Sequence, residues 1–391
     1  MFNAGLGYKA FLGLVEETVF GTAVDPRTKF VEINAGGDGI VKAVEKLMSA
    51  SVYKVHQDTA NVEQGQVTCN GNVAFDARWE GWELLLKAAM GAVVSTEATA
   101  FTVDATNNKI DFKEDAGLEL NATVASATYK MGTVSSEDET LCKAIKTALE
   151  TAGTGTYTVT YSRTTKLITI AVGGAISATQ ILWKTGTNGS NGTDTHIGDL
   201  IGFSDAADGA SVASVDGDNE VEYAMSHAFT IEDELDTYLT MELAKDTTAM
   251  VFEGCMVNTL ALDISNNGLM VVTAGIIAED ANTATPNAAP SFSSTALLNF
   301  VQGALTYAGA SANIISANVT LDNKLEARRF IGSRVIAQPA RNAKMEVTGS
   351  VTLEFDDTNK YTDFVAGTDR AIVLTFTGTA LSGSAYSLTI N

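Results

Sequence analysis

Histidine supplies most general bases, zinc ligands and nucleophile partners, and this 391-residue chain has three: His56, His196 and His227. They lie far apart along the sequence and away from any cysteine pair, so neither a zinc spacing nor a Cys/His dyad is visible. Gly5-Leu-Gly7 lacks the third glycine of a dinucleotide loop, no Walker-type lysine loop occurs, and no Gly-x-Ser-x-Gly elbow is present. Asp216-Gly-Asp218-Asn-Glu220 could offer oxygen to calcium but lacks the full EF-hand spacing; Glu232-Asp233-Glu234, on an expected strand, alternates sides. Paired carboxylates could cleave glycosides, but forty-seven acidic residues select no pair. Lys324, Arg328, Arg329 and Arg334 form the densest basic patch, set to meet an acidic neighbour or only water. No catalytic, cofactor-binding or metal-ligating residue is assigned, no cofactor is expected, and the chain is read as no enzyme.

The elements that would have to position such groups are β-strands. With 45% hydrophobic and 18% charged residues the chain is long enough for two or three domains, each with its own core. A net charge of −22 argues against grasping nucleic acid, which requires a basic surface. Cys69, Cys142 and Cys255 are too few for a disulfide framework, and Cys69 and Cys255 sit in apolar patterns that bury a free thiol. Lys9 and Glu16 leave too short an apolar stretch for a signal peptide, and the longest strongly apolar run, 269–278, is about half the ~20 residues of a membrane span. A soluble, unexported protein is expected.

Residues 41–75 and 319–353 are degenerate copies at a constant offset of 278 (319 − 41). Val41 falls on Val319, Lys46 on Lys324, Leu47 on Leu325, Gly71 on Gly349 and Val73 on Val351. Val67, Cys69, Gly71, Val73 and Phe75 keep the period of two that turns one side of a strand to a core, as do Met345, Val347, Gly349, Val351 and Leu353. A helix is expected over 78–90, from Trp79, Trp82, Leu86, Ala89 and Met90 to Gly91, with a shorter one at Tyr361, Phe364 and Val365 before Gly367. Further strands are expected at 8–15, 29–33, 228–231, 238–243, 257–264, 269–277, 371–377 and 386–390. Between 101 and 220 the composition turns to Thr, Ser, Ala, Gly and Asn, with a helix at 141–149, a hairpin of 156–161 with 167–172, and a loop at 185–195. The organisation expected is a discontinuous first β-sandwich (1–100 and 221–280), an inserted small α+β domain (101–220), a linker (281–296) and a second sandwich (297–391), each sandwich with a flanking helix. The chain is mainly β.

These residues resemble the major tail tube proteins of long-tailed bacteriophages with non-contractile tails. The resemblance rests on Glu16-Glu-Thr-Val-Phe-Gly21-Thr22 with Pro26, Gly71-Asn-Val73 running into Glu80-Gly81-Trp82-Glu-Leu-Leu-Leu86, Phe252-Glu-Gly254-Cys255 with Asn258, Leu260 and Leu262, and Leu325-Glu-Ala-Arg328 with Gly332-Ser333-Arg334 and Val347-Thr-Gly349. It covers about 1–95 and 225–391. It implies tandem tail-tube β-sandwiches and self-assembly into rings stacked as a tube in the virion tail, formed in the host bacterial cytoplasm. Two copies per chain imply homotrimeric, pseudo-hexameric rings, hexameric rings being the alternative. The further partners implied are the tape measure protein, tail terminator and distal tail proteins, and genomic double-stranded DNA passing through the lumen without sequence-specific binding; no membrane is implied. A carbohydrate-binding or adhesive virion β-sandwich is the alternative function.

Overall fold

The structure, a computed structural model, describes residues 10–48, 62–97, 101–132, 140–163, 165–222, 224–354, 358–381 and 384–390. His56 and Gly5-Leu-Gly7 lie outside these residues. The chain divides into two compact units, one comprising the residues up to Val94 with Ala228–Gly378 and the C-terminal residues from Ser387, the other Ser95–His227 with Thr379–Tyr386. Strands are the main regular element of both.

The first unit opens with β1 (Ala10–Glu17), β2 (Lys29–Glu32), β3 (Val41–Met48), β4 (Val62–Asp76) and helix α1 (Glu83–Met90). Along β4 the period of two is realised: Val67, Cys69, Val73 and Phe75 are buried while Asn70 and Asn72 are exposed. Helix α1 starts five residues later than the periodicity suggested, because Gly81 takes a φ of 109° that ordinary residues avoid and so separates Trp79 from the helix. Trp82 stands at the N-cap, its indole donating to Arg78 O. The helix ends at Gly91, with a φ of 105°. The chain then leaves along β5 (Gly91–Glu97).

The second unit contains β6 (Phe101–Val103), β7 (Lys109–Glu114), β8 (Leu120–Thr123), β9 (Ala127–Tyr129), α2 (Leu141–Ala152), β10 (Thr156–Tyr161), β11 (Ile168–Gly173), β12 (Thr179–Ile181) and β13 (Ser214–Asp216). They form three small sheets, β10-β11-β13, β12-β7-β8 and β6-β9. Leu141, Cys142, Ile145 and Leu149 of α2 join Phe112, Tyr157 and Trp183 in a core of its own. Glu114 is the polar latch of this core. Its carboxylate accepts from the Thr154 and Gly155 backbone N–H groups and from the Tyr157 hydroxyl. Burial alone would raise its pKa; these donors outweigh that and hold it below the usual range.

The chain returns along β14 (Met225–Ile231), which pairs with β5, and continues as β15 (Tyr238–Lys245), β16 (Thr248–Ser265), β17 (Val271–Ala278) and β18 (Asp280–Ala284). The principal sheet runs β2-β1-β15-β16-β17-β4-β3, with β21 (Ile314–Asp322) and β24 (Glu346–Leu353) attached beyond β16. Between Leu239↔Cys255 and Met241↔Phe252 the β15–β16 register slips, and Gly254 in the bulge has a φ of 61°. The N-terminal half of β16 therefore pairs with β15 and β18, and its C-terminal half with β17 and β21. The expected linker 281–296 thus begins as strand.

The remaining elements are β19 (Gly303–Tyr307), β20 (Ala310–Ala312), β22 (Leu325–Arg328), β23 (Ala337–Arg341), α3 (Asn359–Ala366), β25 (Ile372–Leu381) and β26 (Ser384–Ile390). The sheet order β20-β19-β25-β26 repeats β2-β1-β15-β16, and in each half a hairpin and then a helix stand between the second and third of these strands in sequence. Register carries the repeat to single residues. Leu47 pairs with Glu63 and Leu325 with Arg341, and both 325 − 47 and 341 − 63 equal 278. Further along, the copies slip by one: Val41 faces Asn70, whereas Val319 faces Gly349. An added Cβ would meet backbone at both: Gly39 O, just before β3, at Gly71, and Asn318 O, within β21, at Gly349.

Pairing continues from β16 into β21, and residues of both halves contribute to one core cluster. Leu12, Phe75, Leu85 and Phe252 share it with Leu298, Leu321, Leu374 and Phe376. At its rim Asn323, fully buried, donates to Ala89 O at 2.8 Å and Val257 O at 3.0 Å and accepts from Arg341 at 2.7 Å. Replacing Asn323 by Leu strands two carbonyls and an arginine N–H; urea unfolding of the full chain is expected to show a loss of about 2–4 kcal/mol from this unit.

Candidate assembly surface

The basic cluster that stood out in the sequence divides: Lys324 meets acidic neighbours, whereas its three arginines bond neutral acceptors. Arg329 donates to Thr68 Oγ1 at 2.9 Å, and Arg334 donates to Gly65 O at 3.1 Å and Gln64 Oε1 at 2.7 Å. Val67 N in turn donates to Arg334 O. The tip of the second hairpin thus grips β4 of the first through neutral acceptors, which sequence charge patterns do not reveal. Arg328 donates to Gln338 O within its own hairpin. Lys324 sits between Asp322 (2.6 Å) and Glu346 (2.9 Å), whose carboxylates hold its ammonium above the usual pKa. Trp79 adds to the grip, its indole packed against Gly378 of β25.

The principal sheet ends in β2 and β3, and its branch from β16 through β21 ends in β24. Val41, Val44 and Leu47 of β3 are exposed, as are the first five residues of β24, Val347 among them. Unprotected edges of this length attract further strands.

The remaining sequence candidates are dispersed. Asp216 accepts from Thr169 Oγ1, Asp218 from Ser204 N, and Glu220 pairs with Lys166, so three carboxylates point to three partners. Glu232-Asp233-Glu234 follows the end of β14 as a bend, correcting the strand expected there, and two of its carbonyls accept from Arg341. His227 Nδ1 hydrogen-bonds Ser95 Oγ. Among the described residues His196, Asp199 and Asp205 are the group whose side-chain ligand atoms approach one another within 4.8 Å. Because His196 Nδ1 accepts from Gly198 N–H, the ring proton belongs on Nε2, 3.4 Å from Asp194, and the ring has no lone pair left for an ion. All three cysteines are buried and free, and burial, followed by the charge of Asp280, pushes the Cys69 thiol up to about 11.

Open sheet edges, exposed apolar side chains beside them and polar groups spent on internal contacts define a class: a β-structured protein that acts by association. The chain belongs to the phage tail tube protein family, whose sequence model matches residues 7–388. It is therefore a structural component of the phage tail that self-assembles into a tube, in a family not known for enzymatic activity. Comparison with curated proteins finds no match. No helix among the described residues is long and apolar enough to cross a membrane.

One acidic cluster lies apart from the edges. Glu17, buried, accepts from Gly21 N, Gly254 N and Thr240 Oγ1 at the β16 bulge. Burial, then the charges of Glu253, Glu17 and Asp280, raises the pKa of neighbouring Glu279; burial, then Asp280 and Glu17, raises that of Glu253. A carboxyl whose folded pKa exceeds its unfolded value penalises the folded state above the folded pKa and releases that penalty as pH falls through it. Glu279→Gln is accordingly expected to melt above the wild type at pH 7, the gap closing by about pH 4 in thermal scans.

Proposed function

We propose that the chain polymerises as stacked rings into the tail tube of a long-tailed, non-contractile phage and forms the conduit for genome delivery. The observation that carries this reading is the repeated module, in which one order of strands, hairpin and helix occurs twice within a chain of the tail tube family. Rings in this family are taken, from the resemblance, to surround the channel with six module copies. Three chains supply six, giving threefold symmetry with pseudo-sixfold character. The tape measure protein would fill the tube before ejection, with the tail terminator and distal tail proteins at its ends.

The two repeats are proposed as tail-tube modules fused through a shared core, and residues 101–220 as an insertion on the tube exterior. The second copy runs from α3 to β25 with five residues between them, Gly367 to Ala371, at the point where the first copy carries the whole inserted unit. Surface insertions of this kind cost little in closure entropy. Deleting 101–220 with a short Gly/Ser bridge is expected to leave rings and tubes in negative-stain images; a soluble, folded remainder that no longer assembles would count against the placement. A glycan-binding role for the inserted unit draws support from an open groove beside α2 lined by Asn121, Thr123, Tyr129, Lys143 and Thr147. Glycan-array binding that the deletion removes would establish it.

The charge suits passage rather than retention. Three chains of −22 give −66 per ring, and an acidic lumen would repel phosphates. Native mass spectrometry of single rings is expected to give three times 41.0 kDa, or about 123 kDa, and a six-chain mass would exclude the threefold arrangement. A low-salt mobility assay should show no retardation of double-stranded DNA; a shifted band lost at ~200 mM salt would exclude the repulsive conduit.

A further inference from the structure

Helices α1 and α3 are both eight residues long, and each is followed by a glycine in the positive-φ region, Gly91 or Gly367. Aligned end to end, with 367 − 91 equal to 276, Leu85 matches Tyr361, Ala88 matches Phe364 and Ala89 matches Val365. The same face meets opposite fates. Leu85, Ala88 and Ala89 are 0%, 1% and 0% exposed, whereas Tyr361, Phe364 and Val365 are 64%, 82% and 66% exposed. Each helix is tied to the first strand of its own copy from position 87 or 363: Lys87 pairs with Glu16 at 2.6 Å, and Asp363 accepts from Tyr307 at 3.2 Å. The helices are equivalent in placement, and among the described residues nothing covers this face of α3.

The second hairpin helps supply the cover for the first copy. Asn323 anchors it to Ala89 of α1, and Arg334 anchors its tip to β4, where Val67 and Cys69 are buried. The matching position to Cys69 in the second copy, Val347, is exposed. The first hairpin in turn presents Val41, Val44 and Leu47 to solvent. So the chain holds one covered body with its covering hairpin, and one uncovered body with a spare hairpin.

We infer that the β3–β4 hairpin of one chain covers the α3 face of the next, repeating between chains the contact that the β21–β24 hairpin makes within a chain. The inference rests on the tube reading for its setting but takes its surfaces from the repeat alone. Side-chain volumes agree with it: Ala88 and Ala89 on α1 share a buried cluster with Leu321 of the covering hairpin, and Phe364 and Val365 on α3 would meet Ala43, which occupies position 321 − 278. Glu45, which stands where Asn323 does, cannot donate to a carbonyl when ionised, so the contact between chains is mainly apolar. The interface is head to tail, and such interfaces close into rings when the rotation permits.

Two single variants test this. Phe364→Asp spoils the helix face and keeps the hairpin; Leu47→Asp spoils the hairpin and keeps the helix face. Both positions are exposed, so unchanged thermal unfolding confirms that each chain is folded. Each variant alone is expected to be monomeric by light scattering, its assembly weakened roughly 100-fold. A 1:1 mixture should give a heterodimer and nothing larger, because one junction has both faces intact and the next has neither. Rings that persist in both variants, or a mixture that stays monomeric, would overturn the inference. Tubes persisting in both variants would do so while leaving the tube reading intact; wild-type rings that never stack, with the heterodimer still formed, would remove the tube reading and leave this interface standing.

Discussion

A buried strand must hand every backbone N–H and C=O to a neighbour, and in this fold one strand meets that demand on behalf of both halves. The eighteen residues of β16 pair with β15 and β18 at one end and with β17 and β21 at the other. The change of partners passes through the bulge at Gly254, whose backbone N–H is held by the buried carboxylate of Glu17. A side chain there would be strained by the φ of 61° and crowded by Phe20 and Glu279. The bend, the shared core and the docking of the second hairpin all follow from that turn.

Periodicity made much of this legible. Alternation along 67–75 located the buried face of β4, and the gapless offset located a hairpin whose Leu47↔Glu63 and Leu325↔Arg341 pairs coincide. The family resemblance drawn from scattered short motifs agrees with the match over residues 7–388. What a period of two cannot say is which element covers a buried face. Cys69 and Val347 occupy matching positions in equally alternating sequence, yet one is buried and the other is exposed. For the same reason alternation does not reveal that residues of both halves join one core cluster.

Local exceptions to pattern were also hidden. Trp79 and Trp82 fitted a helical spacing, but the positive φ at Gly81 is a backbone property that the spacing of apolar residues does not encode. The arginines at 329 and 334 read as a charge patch because sequence displays charge, whereas their partners are a hydroxyl, a carbonyl and an amide on a strand some 260 residues away. The edge strands, by contrast, carried no chemical signature at all. Their significance is topological, and it emerges only once the strands are paired.

The joining of two modules in one chain has a kinetic side. The contact between the first body and the second hairpin forms during folding, at an effective concentration set by the connecting segment rather than by how much protein the cell makes. In the proposed ring of six modules, three molecules would have to meet instead of six, and every second junction would already be in register before the first encounter. Fusion would thus lower the molecularity of nucleation in such a ring, and it frees the two copies to diverge, one bearing a large insertion and the other none.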